Sequence, residues 1–220
     1  MDGDLQRTED WHAERAGCFT ASCFADLAWD REVYKSGAKA GQPKPAPKSR
    51  TNYIAQVAAE IITGTAKASV SAKALEYGTE MEPEAIAAYE ARTGSMVEAC
   101  GFTKHPDYPF AGASADMLIG RAGGGEVKCP MSITVHAITL RDGLPPEHIE
   151  QIQGGLWVTG RMWWDFISYN PLFPPGLDLY VQRIERDERV IERIKNDVLT
   201  AWDEVQELLA KFDALREIPA

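Results

Sequence analysis

Residues 112–130 read GASADMLIGRAGGGEVKCP, and no other stretch limits the fold as tightly. A short apolar run, Met117-Leu118-Ile119, stops at a glycine-rich turn, and a second run, Glu126-Val127-Lys128-Cys129, follows it. This is the pattern of two strands joined by a hairpin loop. Side chains alternate along a strand, so Glu126 and Lys128 share one face and Val127 takes the other. Asp116 joins the Glu126 face only if the loop holds an odd number of residues. A loop over 121–125 meets that condition: it pairs Gly120 with Glu126 and Leu118 with Lys128. Two carboxylates and an ammonium then stand at one sheet edge. Metal-dependent phosphodiester hydrolysis uses such a set, with carboxylates to hold Mg²⁺ and a cation to orient water or offset phosphate charge. The same residues also suit a surface hairpin with solvated charges.

A chain of 220 residues that is 45% apolar and 25% charged is expected to form one soluble globular domain. Its longest apolar runs fall far short of a bilayer span, so no membrane partner is expected. The opening MDGDLQRTEDWH lacks the basic start and apolar core of a secretory signal. Cys18, Cys23, Cys100 and Cys129 form no CxxC or zinc spacing. Free thiols in a reducing cytoplasm are the expectation. The net charge of −10 argues against coating DNA by general electrostatics. It leaves room for an enzyme with a local basic channel. Positive charge gathers in Lys35, Lys39, Lys44 and Lys48, between Arg31 and Arg50, with Glu32 the only acid there. This Gly-, Pro- and Lys-rich part, about 35–50, reads as a flexible basic loop, either merely solvated or touching DNA.

Residues 8–12 can open a helix capped by Thr8 or Asp10, with Trp11 and Arg15 on one face. Gly17 breaks it, and Thr20 and Ser22 can cap a second helix over 23–29. Arg15, Thr20 and Ser22 around a helix start suit an anion, or else ordinary capping beside a surface arginine. A helix over 50–63 places Tyr53, Ile54, Val57, Ala58, Ile61 and Ile62 inward. A longer helix runs from Ser71 or Ala72 to Thr93, with Pro83 inside it. On its otherwise apolar stripe of Leu75, Ile86 and Tyr89 stands Glu82, either partly exposed or facing a cation. Strands are expected over 97–104, 110–113, 163–169 and 178–185, and helices over 134–140 and 147–157. The second of these helices carries Gln151, Gln153 and a Gly154-Gly155 pair that suggests close packing; Ile149, Ile152, Leu156 and Trp157 face inward. The strongest amphipathic helix spans 187–215, with Ile191, Ile194, Val198, Trp202, Val205, Leu209 and Phe212 on one stripe. The whole reads as α/β, a mixed central sheet flanked by helices.

The blocks WHAERAGCFTAS, SAKALEYGTEMEPEA, GASAD, EVKCP and EQIQGGLWVTG, in this order, resemble the phage lambda exonuclease family. These are YqaJ-type viral recombinase nucleases, alkaline exonucleases of the PD-(D/E)XK superfamily. The resemblance implies a restriction-endonuclease-like core at about 71–185 and a 5′-phosphate pocket in the N-terminal helices at about 8–30. It implies an enzyme that needs Mg²⁺, with Mn²⁺ as a substitute and two ions per site. Such enzymes digest the 5′-phosphorylated strand of duplex DNA processively, as a ring-shaped homotrimer, leaving 3′ single strands for a strand-annealing recombinase. By matching motif, Glu82, Asp116, Glu126 and the Val127 carbonyl would hold metal. Lys128 would orient or activate the attacking water, and Gln151 would position that water or the scissile phosphate. Arg15, Thr20 and Ser22 match the pocket for the 5′-phosphate, Leu75 a strand-parting wedge, and Lys73 lies beside it. Two departures stand out: Ala115 replaces the proline frequent before the metal-binding Asp, and the 35–50 loop matches nothing clearly. The alternatives are a structure-specific endonuclease of the same superfamily and a non-catalytic DNA-end binder. Intact Asp116, Glu126 and Lys128 speak against the latter.

Overall fold

A computed structural model describes residues 5–6, 8–66 and 73–216. Two sheets organise it. One has three strands in the order β1 (Phe19–Thr20), β4 (Ala111–Ser114) and β3 (Phe102–Lys104). The other has five, in the order β2 (Val97–Glu98), β5 (Met117–Ile119), β6 (Gly123–Lys128), β7 (Trp163–Tyr169) and β8 (Leu179–Glu185). Each sheet mixes parallel and antiparallel pairs, with β6 parallel to β7 and β1 parallel to β4. The expected single central sheet is therefore split. The expected strand 97–104 is likewise two strands, one in each sheet. The chain leaves the small sheet at Ser114 and enters the large one at Met117, so Asp116 sits at the crossing.

The hairpin register differs from the one expected. Met117 pairs with Gly125, Leu118 with Gly124 and Ile119 with Gly123. The loop is 120–122, opened by Gly120 in a left-handed conformation (φ 53°). Three residues are still an odd number, so Asp116 keeps its phase with Glu126. Gly123 and Gly124 lie in the strand because indoles cover them: added Cβ atoms would meet the Trp163 and Trp164 rings at 2.2 and 2.6 Å.

Helix α1 (Glu9–Arg15) is capped by Thr8, whose Oγ1 accepts from the Trp11 N–H at 3.1 Å. The expected helix over 23–29 is instead a 3₁₀ helix, Ala21–Leu27, whose Thr20 cap makes no side-chain bond to its end. Helix α2 (Lys48–Thr63) buries Tyr53, Ile54, Val57 and Ala58, but Ile61 and Ile62 face out. It also takes in the end of the expected basic loop. Arg50 is buried within it, donating to the Leu27 carbonyl and ion-paired with Glu204 at 2.7 Å.

Helix α3 (Lys73–Thr93) runs through Pro83 and packs on β6, β7 and β8; its expected start at Ser71 or Ala72 lies outside the described residues. Two bonds fix its height: Tyr89 donates to the buried Asp165 at 2.7 Å, and Tyr169 donates to Glu84 at 2.7 Å. Helix α4 (Ile133–Asp142) precedes a 3₁₀ turn (Pro146–His148) and α5 (Ile149–Thr159). Ile149 is exposed, while Ile152, Leu156 and Trp157 are buried as expected. The glycine pair does bring α5 in closely: a Cβ on Gly154 would meet Phe24 at 2.5 Å, and one on Gly155 would meet Trp164 at 3.0 Å. Helix α6 (Glu188–Arg216) buries Ile191, Ile194, Val198, Ala201 and Val205 in the main core.

Candidate active site

The parity of the hairpin delivers the acidic group to one place. Asp116 Oδ2 accepts from the Val127 N–H at 2.7 Å, which ties the crossing segment to β6. The N–H and C=O of one strand residue point to the same edge, so the Val127 carbonyl is directed to the Asp116 side too. Glu126 is buried, and its Oε1 receives two donors: Lys128 Nζ at 2.6 Å and Gln151 Nε2 at 2.7 Å. Lys128 also approaches Gln151 Oε1 at 3.5 Å. Gln151 reaches Glu126 because the glycines of α5 let that helix settle against the sheet.

Electrostatics places Glu82 in the same group. The Asp116 carboxyl is pushed well above the usual carboxylate range by burial, then by the charges of Glu126 and Glu82; the Val127 N–H and Lys128 oppose this. Burial depresses the Lys128 ammonium, but Glu126, Asp116 and Glu82 outweigh it and its pKa is raised. Burial, with Glu82 and Asp116 adding to it, lifts the Cys129 thiol to about 12, so it is no nucleophile at neutral pH. Among the described residues, no set of three His, Cys, Asp or Glu side chains stands ready to hold a metal ion. The donor chemistry fits a hard cation all the same. Oxygen donors converge, mutual repulsion raises Asp116, and an added positive charge would relieve it.

The second group lines the same opening. Arg15 Nη2 donates to Thr20 Oγ1 at 3.4 Å, and its guanidinium lies over the Trp11 ring at 4.8 Å. Thr20 Oγ1 stands 3.3 Å from Ser22 Oγ and 3.3 Å from the Tyr53 hydroxyl, which also accepts from the Thr20 N–H at 2.8 Å. Because these hydroxyls do not cap the 3₁₀ helix, they remain at the cleft wall. Tyr53 lies in the core as its helix pattern predicts, and its buried hydroxyl, which needs a partner, is the signal that it also meets the Thr20 group. A cleft of about 1040 Å³ joins the two groups, lined by Trp11, Arg15, Thr20, Ser22 and Tyr53 on one side and Asp116, Glu126 and Gln151 on the other. Leu75, exposed at the start of α3, forms part of its wall. Lys73 is exposed two residues before Leu75 and is not part of that lining.

A family model described as a YqaJ-like viral recombinase domain matches residues 10–162. Among solved structures, the chain is similar to an alkaline exonuclease, LHK-Exo, from Laribacter hongkongensis. Identity is 34%, coverage is 95% of this chain and 98% of that one, and the TM-score is 0.82. LHK-Exo in complex with dAMP gives the same TM-score at 35% identity, with the same coverage. A phage-related exonuclease from Haemophilus somnus 129PT shares the fold at 17% identity, covering 89% of this chain and 96% of that one with a TM-score of 0.66. No curated protein matches the sequence.

Proposed function

The chain belongs to the YqaJ-like viral recombinase domain family, and from that premise we propose that it is a divalent-metal-dependent exonuclease digesting one strand of duplex DNA from a 5′-phosphorylated end. Its fold is the PD-(D/E)XK kind found in its exonuclease neighbours. The observation that carries the proposal is the shared cleft. Arg15, Thr20 and Ser22, suited to an anion, open into the same space as Asp116, Glu126 and Gln151. The cleft is large enough for a nucleotide, and the similar LHK-Exo is known in complex with dAMP, a 5′-mononucleotide.

In this reading the terminal 5′-phosphate enters against the Arg15 guanidinium and the Thr20 and Ser22 hydroxyls, a charge-assisted set. The next phosphate then lies over the carboxylates. Glu82, Asp116, Glu126 and the Val127 carbonyl would hold Mg²⁺, with Mn²⁺ as substitute and two ions per site, as the resemblance to the lambda exonuclease family implies. When bound, the metal supplies positive charge to the attacking and leaving oxygens of an in-line displacement. Lys128 turns from Glu126 toward the attacking water, and Gln151 holds that water or the scissile phosphate. The water gives up a proton and its oxygen bonds to phosphorus as the bond to the 3′ oxygen breaks, and that oxygen takes up a proton to leave as a 3′ hydroxyl. A 5′-mononucleotide leaves and a new 5′-phosphate remains on the strand. The product is a 3′ single-stranded tail of the kind a strand-annealing recombinase uses.

The test is a digest of linear and closed-circular duplex, with and without Mg²⁺, using 5′-phosphate and 5′-hydroxyl ends. Mononucleotides should appear only from linear duplex with Mg²⁺, faster from 5′-phosphate ends, with label lost first from the 5′ terminus. Cutting of closed circles would give the endonuclease reading instead, and end binding without cutting would give the non-catalytic one.

A further inference from the structure

The peptide unit that enters Asp116 is gripped on both sides. Its N–H, on Asp116, donates to the Gly125 carbonyl at 3.2 Å, from the hairpin partner β6. Its C=O, on Ala115, accepts from Gln6 Nε2 at 2.7 Å, from the N-terminal segment. Gln6 Nε2 also donates to the Cys100 carbonyl at 3.1 Å, so the amide bridges two backbone segments. One turn into α1, Trp11 Nε1 donates to Ser114 Oγ at 2.9 Å. A peptide is planar, so holding both its ends fixes the plane from which the Asp116 side chain departs. Asp116 needs this help, because it lies between two strands of different sheets and has no ladder of its own on one side. Nor does the preceding Ala115 supply the backbone restraint a proline would.

We propose that Gln6 and Trp11 are positioning residues for the metal-binding carboxylate of Asp116, so that Gln6 and α1 support the catalytic centre. This rests on the reading of Asp116 as a metal ligand. Trp11 has a second contact, the Arg15 guanidinium over its ring. One side chain therefore touches both the anion group and the support of the metal group, and α1 sets the spacing between them.

Two substitutions separate the roles. Gln6→Met keeps length and removes the N–H donor; Trp11→Phe keeps an aromatic ring beside Arg15 and removes the donor to Ser114. Mn²⁺ binding is measured by calorimetry on the full chain without DNA, together with the melting temperature. Loss of an outer hydrogen bond that orients a metal ligand typically costs about 10–100-fold in affinity. A loss of about tenfold or more is expected for Gln6→Met, a smaller one for Trp11→Phe, both with melting temperatures near that of the wild type. Gln6→Met should keep the preference for 5′-phosphate over 5′-hydroxyl ends, because Arg15, Thr20 and Ser22 are untouched. Wild-type Mn²⁺ affinity in both variants would overturn the proposal, as would a loss that only tracks a fall in melting temperature. A wild-type chain that neither binds Mn²⁺ nor digests DNA would instead sink the nuclease reading beneath it.

Discussion

Two donors meet on Oε1 of Glu126, and under the proposed function that crowding gives each of them a separate expected role. Lys128 holds the oxygen at 2.6 Å and Gln151 at 2.7 Å, so either can leave while the other keeps the buried carboxylate bonded. Lys128→Ala should therefore fold normally and bind duplex, yet lose at least about 10²–10³-fold in cleavage rate, the scale of a group acting on transition-state charge. Single-turnover digestion with circular dichroism as a folding control measures this; a rate near wild type would mean that Lys128 only neutralises Glu126. Arg15 makes a different prediction. A guanidinium gains most from a dianionic terminal phosphate. Arg15→Ala should shrink the rate ratio between 5′-phosphate and 5′-hydroxyl ends while the rate on 5′-hydroxyl ends changes little. Equal loss on both substrates would assign Arg15 to holding Trp11 in place.

The hairpin shows which parts of an element a sequence discloses. Asp116 and Glu126 share a face for any odd loop, so the period of two placed the carboxylates without the register being known. The register itself was misread because Gly123 and Gly124 look like turn residues locally. What draws them into β6 is the pair Trp163 and Trp164, on a strand far along the chain whose parallel pairing no local pattern announces. The same distance effect hid the roles of Gln6, Tyr53 and Ser114, each defined by a partner elsewhere in the chain. The strongly periodic elements fall where their pattern puts them: β7 is Trp163–Tyr169, and α6 buries Ile191, Ile194, Val198 and Val205 with Trp202, Leu209 and Phe212 partly buried against the same core. Gly124 offers a test of this packing. The buried Trp164 indole lies between Gly124 and Gly155, with no slack on the Gly124 side. Gly124→Ala should destabilise the fold by about 1–3 kcal/mol through overpacking, and it should lower activity more than its stability loss explains, since Glu126 lies two residues on. Urea unfolding beside initial rates would check both, and an unchanged midpoint would contradict the close approach.

For the whole molecule, the proposed function raises the question of how so acidic a chain would stay on DNA. A net charge of −10 argues against a broad basic face, and salt would weaken local attraction. Among the described residues, basic groups that could face a duplex include Lys73 at the exposed start of α3 and the lysines of the 35–50 segment, where Lys44 is paired with Glu32. Enclosure removes the need for strong attraction, because a closed ring cannot leave a duplex sideways. Cyclic symmetry is the ordinary way to close a ring from one kind of chain. The single chain also leaves Ile133, Val135 and Ile138 of α4 exposed, with Leu172 and Leu177 beyond them, apolar surface that a neighbouring subunit would cover. The number three follows from the resemblance to the lambda exonuclease family. We therefore expect native mass spectrometry of the free protein to give a trimer. A digest challenged with excess competitor DNA should continue to the end of each long duplex it has begun. A monomer that does the same would show that retention comes from contacts within one chain, and the enclosure argument would fail.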